Sequence, residues 1–153
     1  MATLLRVMDQ AWAVEVWHPP LSLAIEGLPA EQAAWRPNGR ALTAWQFVNH
    51  VAFWKEAALR RLTGVPRTAA EDDNVATFGA PGDGRDAAAW AQALDRLHTA
   101  HAQLRAAVVD LTDADLADPS RERLLYAAAS HDAYHGAEIV QLRKLQGAWP
   151  ESR

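Results

Sequence analysis

The 153-residue chain contains no cysteine. Disulfides, cysteine-ligated zinc and a cysteine nucleophile are therefore all excluded. No apolar stretch reaches the length of roughly 20 residues that a membrane-crossing helix needs. The start, "MATLLRVMDQAWAVEVW", lacks the basic segment and apolar run of a secretory signal. Neither sign of charge dominates: 15 Lys and Arg face 19 Asp and Glu, a net charge of −4. A nucleic-acid partner and a charged membrane surface are accordingly not expected. β-Branched residues are sparse and alanine is abundant, so helix is favoured almost throughout. These features suit one soluble domain over residues 1–153, expected in the cytoplasm.

Four long helical patterns are present. The first runs from Thr3 to Trp17, with Leu4, Val7, Met8, Ala11, Trp12 and Glu15 at helical spacing. Pro19 and Pro20 predict a kink, with the helix resuming through Leu21–Glu26 and ending at Gly27. A short helical turn is expected in "PAEQAAWRPNG". Thr43 opens the second helix, and Gln46 three residues on predicts a capping box. Phe47, His50, Val51, Trp54 and Ala58 share its inward face, and Gly64 and Pro66 end it.

Residues 64–85 form a long connection rich in Gly, Pro and acid, including the "EDD" of 71–73, expected to be solvated. A crossover of this length lets the second and third helices run parallel. The third helix begins near Asp86, with a seam of Trp90, Leu94, Leu97, His101, Leu104, Val108 and Leu111. Thr112 caps a short helical piece, and Ser120 is expected to cap the fourth long helix. Its seam reads Leu124, Ala128, His131, His135, Glu138, Leu142 and Leu145, with Gly147 and Pro150 ending it. The expected fold is all-α, a four-helix bundle running up-down-down-up.

His131 and His135 lie four residues apart, which puts both imidazoles on one helical face. With His50 on the inward face of the second helix, two readings are open. Each histidine is satisfied separately in the core, or the three hold one metal and leave a coordination position free. His18 beside the two prolines reads as an exposed helix-end residue, His101 as a satisfied core histidine and His98 as solvated. Trp12, Trp45, Trp54 and Trp90 are expected as core or interface anchors.

"WQFVNHVAFW" and "HDAYHGAEIVQLRKLQG", together with "WHPPLSLAIEGLPAEQAAWRP", resemble the DinB-like superfamily of metalloenzymes over nearly the whole chain. The resemblance implies His50, His131 and His135 as ligands of a divalent metal, zinc or nickel before iron or manganese. It further implies a thiol S-transferase that activates an external low-molecular-weight thiol toward a small electrophile, and a homodimer. Two alternatives stand beside it: a metallohydrolase using metal-activated water, and a stress-associated metal-binding dimer without turnover.

Where the family usually has Gly-Gln before an isoleucine, this chain has Ala137–Glu138. Glu138 shares the face of His131 and His135, which makes it the candidate catalytic carboxylate. It can coordinate the metal, orient a ligand imidazole, or act as a base. Its place one turn beyond His135 favours a role beside the ligands or in the pocket.

Overall fold

A computed structural model describes residues 2–150. Among these the chain is all-helical, with no strand. The helices are α1 (Ala2–Trp12), α2 (Leu21–Ile25), α3 (Ala30–Ala33), α4 (Ala44–Leu62), α5 (Ala87–Val109), α6 (Asp113–Leu116) and α7 (Pro119–Leu145). Three single 3-10 turns lie at Pro37–Gly39, Ala69–Glu71 and Ala76–Phe78. No helix of the described residues is long and apolar enough to cross a membrane.

Local chemistry explains most helix boundaries. Thr43 Oγ1 accepts from the Gln46 amide and Gln46 Oε1 accepts from the Thr43 amide, both at 3.1 Å, so the capping box closes the start of α4. A second such box, Thr112 with Asp115, starts α6. The start of α7 departs from expectation. Asp118, not Ser120, is its N-cap: the carboxylate accepts from the Ser120 amide at 2.8 Å. Pro119 then occupies the first turn, where its missing N–H costs nothing.

The first helix is also shorter than its spacing suggested. It stops at Trp12 rather than Trp17, and residues 13–20 are not helical. The amides of Ala13 and Val14 both donate to the Asp9 carbonyl at 2.8 Å, closing the helix there. Two causes are visible. His18 precedes a proline, which disfavours the helical region. Val14 and Val16 are about half exposed and Trp17 is 97% exposed, so extending the helix would bury nothing.

Helix α4 packs on α5 and α7, and α1 packs on α7 and α5, while α2 lies against α7. The apolar interior falls into two clusters. One gathers Leu21, Ile25, Val48, Val51, Leu97 and Ile139. The other gathers Leu4, Met8, Leu62, Leu104, Val108 and Leu125. Each fully buried Leu, Ile or Val contributes roughly 1.5–3 kcal/mol over leaving it exposed. A polar layer separates the clusters. On α4 it holds Lys55, on α5 His101, and on α7 Asp132 and His135, all buried.

The buried ridge of α7 shares His135 and Leu142 with the seam read from the sequence, and most of the rest lies one position away. Leu125, Ala129, Asp132, Gly136 and Ile139 face inward. Leu124, Ala128, His131 and Glu138 are only half-buried and line a cavity, and Leu145 is 56% exposed. Two neighbouring stripes on one helix thus divide the work, one packing and one facing open space.

Residues 64–85 are anchored rather than loose. Glu71 is buried, contrary to the expected solvated "EDD". Its carboxylate accepts from Arg60, from Arg61 and from the Thr68 amide, tying the connection to the end of α4. Burial alone pushes the Glu71 carboxyl up, but these donors outweigh it and hold its pKa at about 2. Asp72 and Asp73 remain exposed. Farther on, Gly82 has φ of +84°, and a Cβ there would lie 2.3 Å from the Trp45 ring. Only glycine lets the backbone pass over this indole.

Candidate metal centre

His50 from α4 and His131 and His135 from α7 converge. Their ligand atoms all lie within 4.8 Å of one another. His131 Nε2 is 3.1 Å from His50 Nε2 and 3.0 Å from His135 Nε2. The i, i+4 spacing on α7 supplies two of the imidazoles, and only the packing of α4 against α7 brings the third.

The outer ring nitrogens decide which atoms face inward. Thr77 Oγ1 donates to the Asn74 carbonyl at 2.6 Å and so has its proton committed. It therefore accepts from His50 Nδ1–H at 2.5 Å, which leaves His50 Nε2 as a bare lone pair. The Glu138 carboxylate accepts from His135 Nδ1–H at 2.6 Å, with the same consequence for His135 Nε2. Phe78 stacks on His50 with ring centres 3.8 Å apart, fixing the plane of the imidazole.

All three rings are neutral at pH 7. Burial, then the neighbouring histidines, lowers the pKa of His50 to about 3. Burial lowers His131 to about 4, helped by His135 and the Lys55 charge, and burial lowers His135 to about 4. At most His131 has an Nε2 proton to offer, and one N–H cannot satisfy two lone pairs on opposite partners. A cation satisfies all three at once, so the donor set fits a divalent metal bound by three imidazoles. Imidazole nitrogen alone does not discriminate among zinc, nickel and iron.

The cluster opens on a cavity of about 690 Å³ between α4 and α7, walled by Phe47, Trp54, Phe78, Leu124 and Tyr134. A family model for the DinB superfamily matches residues 15–139, which include all three histidines. The chain belongs to the DinB superfamily. No curated protein and no solved structure matches it.

The remaining candidates of this DinB-superfamily chain separate cleanly. Glu138 sits beside His135 Nδ1 and lines the cavity, and it is not one of the three converging ligands. Burial raises its pKa. His18 is exposed, bonds the Pro19 carbonyl and lies away from the cluster. His101 is buried in the polar layer, where Nδ1 accepts from Lys55 Nζ at 3.2 Å and the ring stacks on Trp12. His98 is exposed with its ring edge toward Trp12. Trp45 and Trp90 pack together in the core, whereas Trp54 is a cavity wall.

Sequence reasoning missed four residues that shape the site. Thr77 and Phe78 lie 27 and 28 positions beyond His50, in a segment without periodicity, and nothing local marks them. Lys55 and Asp132 form a buried ion pair at 2.5 Å, and Lys55 also lines the cavity. A signal existed for these two. Lysine between Ala52 and Ala58 on one apolar face, and aspartate between Ala129 and Gly136 on another, read together as a charge pair.

Proposed function

We propose that this DinB-superfamily protein is a metal-dependent enzyme of the thiol S-transferase type. The observation that carries the reading is the three-imidazole donor set opening on a largely apolar cavity whose nearest carboxylate, Glu138, is engaged by His135. When bound, a divalent metal would take an exogenous thiol at its free position and lower the thiol pKa. The chain's own residues then have simple tasks. His50, His131 and His135 hold the metal, and Thr77 and Glu138 keep the Nδ1 protons of His50 and His135 pointing outward. Phe47, Trp54 and Phe78 exclude water around the electrophile. The mainly apolar walls favour a thiol and an apolar electrophile over water as the reacting pair, and the nearest carboxylate, Glu138, spends one of its oxygens on His135.

The same proposal includes a single domain with the up-down-down-up topology. Trp45 meets Trp90 and Lys55 meets His101, so numbers rise together along α4 and α5, which supports a parallel pair. Asp9 meets Arg105 and Trp12 meets His101, supporting α1 antiparallel to α5. Phe47 meets His135 and His50 meets His131, supporting α7 antiparallel to α4. Both apolar clusters draw on α4, α5 and α7, in keeping with one domain. We read the protein as a homodimer, with exposed Val14, Val16 and Trp17 as material for its interface. A cytoplasmic location suits an enzyme that depends on a pool of low-molecular-weight thiol.

The test is elemental analysis of protein purified without a nickel column, followed by parallel thiol-consumption and ester-hydrolysis assays. One equivalent of metal is expected, with thiol consumed in the presence of a haloaromatic electrophile. His131→Ala should lose both metal and turnover while keeping helicity. Ester hydrolysis without thiol consumption would replace the reading with a hydrolase. Bound metal with neither reaction would replace it with a binding protein.

A further inference from the structure

On α4, His50, Trp54, Ala58 and Arg61 follow one another at steps of four, four and three, and all four line the cavity. Eleven residues at 1.5 Å rise put Arg61 roughly 16 Å along the axis from His50, and three turns return it to nearly the same face. Across the trough, Leu124 and Ala128 of α7 line the stretch toward Arg61, while His131, His135 and Glu138 line the other end. The cavity is therefore polarised. Three imidazoles stand at one end, and a guanidinium stands at the far end. The middle is walled mainly by apolar and aromatic side chains, and the one cation that lines it, Lys55, is buried and paired with Asp132.

That guanidinium carries spare charge. Arg61 Nη2 bonds Glu71, but the same carboxylate also serves Arg60, so two cations share one anion. Glu71 itself is buried and outside the cavity lining, behind the arginine. Arg61 is pinned on its other side by the Trp54 ring, 5.7 Å from the guanidinium carbon. Its side chain remains 32% exposed, so donors not used by Glu71 are open to a ligand. A preorganised arginine with unused donors is the side chain best suited to a carboxylate.

We propose that Arg61 is the anion-anchoring end of the cavity and that the substrate is an amphipathic carboxylic acid, apolar in its middle, with its reacting group presented to the histidine cluster. The apolar middle packs between Trp54 and the Leu124–Ala128 stripe, and the acid group pairs with Arg61. The distance between the two ends acts as a ruler, favouring a ligand long enough to reach both. The proposal rests on the cavity being the reaction site, as read above. Its test does not depend on metal or turnover.

The experiment is calorimetric titration of metal-free protein at pH 7 with 6-phenylhexanoate and, separately, 6-phenylhexanol. Removing metal prevents the acid from coordinating it, and Lys55, the other cation lining the cavity, is already neutralised by Asp132. The acid should bind about five- to tenfold more tightly than the alcohol, the gain of one charge-assisted contact. Arg61→Gln should erase that preference and leave alcohol binding unchanged, with helicity monitored because Glu71 loses a donor. The comparison of the two ligands on the unaltered protein stands even where the variant folds poorly. Equal affinities, binding of neither ligand, or a preference that survives in folded Arg61→Gln would each overturn the proposal. A protein that passes this test yet binds no metal would keep the anion site and lose only the metal reading.

Discussion

Replacing Lys55 by Met should be among the most destabilising single changes in this protein, and a second replacement should largely undo it. Lys55 Nζ lies 2.5 Å from Asp132 Oδ2, both side chains are 3% exposed, and Asp132 Oδ1 has no partner. At that separation and an effective dielectric of about 20, the attraction is roughly 6–7 kcal/mol. Desolvating each ion costs several kcal/mol, so the intact pair nets close to zero. Removing one partner deletes the attraction and keeps the other ion's desolvation, at about 3–5 kcal/mol. With an unfolding entropy near 2.1 cal/mol/K per residue, 4 kcal/mol corresponds to a drop of about 12 °C in Tm.

Lys55→Met with Asp132→Leu removes both ions and fills the space with apolar atoms, so the double variant should return to within about 1–2 kcal/mol of the parent. The assay is urea unfolding of all four proteins in chelator, which excludes any metal contribution. Acid should partly rescue Lys55→Met. Burial already pushes the Asp132 pKa up, and losing the lysine removes the interaction that opposes this. A carboxyl whose folded pKa is raised destabilises as pH climbs through and above the unfolded value of about 3.9, so the deficit should be smallest below pH 4. Single variants costing under about 1 kcal/mol, or a double variant costing the sum of the singles, would refute the reasoning.

Glu71→Gln should destabilise by about 2–3 kcal/mol at pH 7, since the folded carboxyl sits near 2 against an ordinary 4.5. Because that pKa is lowered, the contribution is complete above pH 4.5 and fades as pH falls toward 2, so urea midpoints of parent and variant should converge at pH 2–3. Thr77→Val should weaken metal binding by about 10- to 100-fold by freeing His50 Nδ1, while Thr77→Ser should retain it, as competition with a chromogenic chelator would measure. Equal affinity in the valine variant would refute the orienting role. Gly82→Ala should cost about 2–4 kcal/mol, from positive φ and a clash with Trp45 together, and a Tm within 2 °C of the parent would show that the crossover simply moves aside.

Sequence by itself determined what depends on neighbours within a turn or two. The Thr43–Gln46 capping box, the ends set by Gly64 and Pro66, and the shared face of His131 and His135 are all such features. Helical periodicity spans only three or four residues, so a pattern of four already fixes which side chains stand together. The same locality explains where it misled. A regular spacing through Glu15 implied a helix to Trp17, but no partner surface covers Val14, Val16 or Trp17, and the helix ends five residues sooner. On α7 the spacing found an inward stripe but not whether it met core or cavity. A shift of one position, from Leu124 to Leu125 or from His131 to Asp132, separates the two.

Tertiary structure alone decided everything that spans long separations. His50 reaches His131 across 81 residues, Lys55 reaches Asp132 across 77, and Thr77 returns 27 residues to hold the His50 ring. Glu71 shows the rule most plainly. An acid in a stretch of Gly, Pro and Asp has every local reason to be solvated, yet two arginines at the end of α4 draw it fully inside. Burial of a charge is settled by whichever partner the fold delivers, and the residues adjacent in sequence carry no record of that partner.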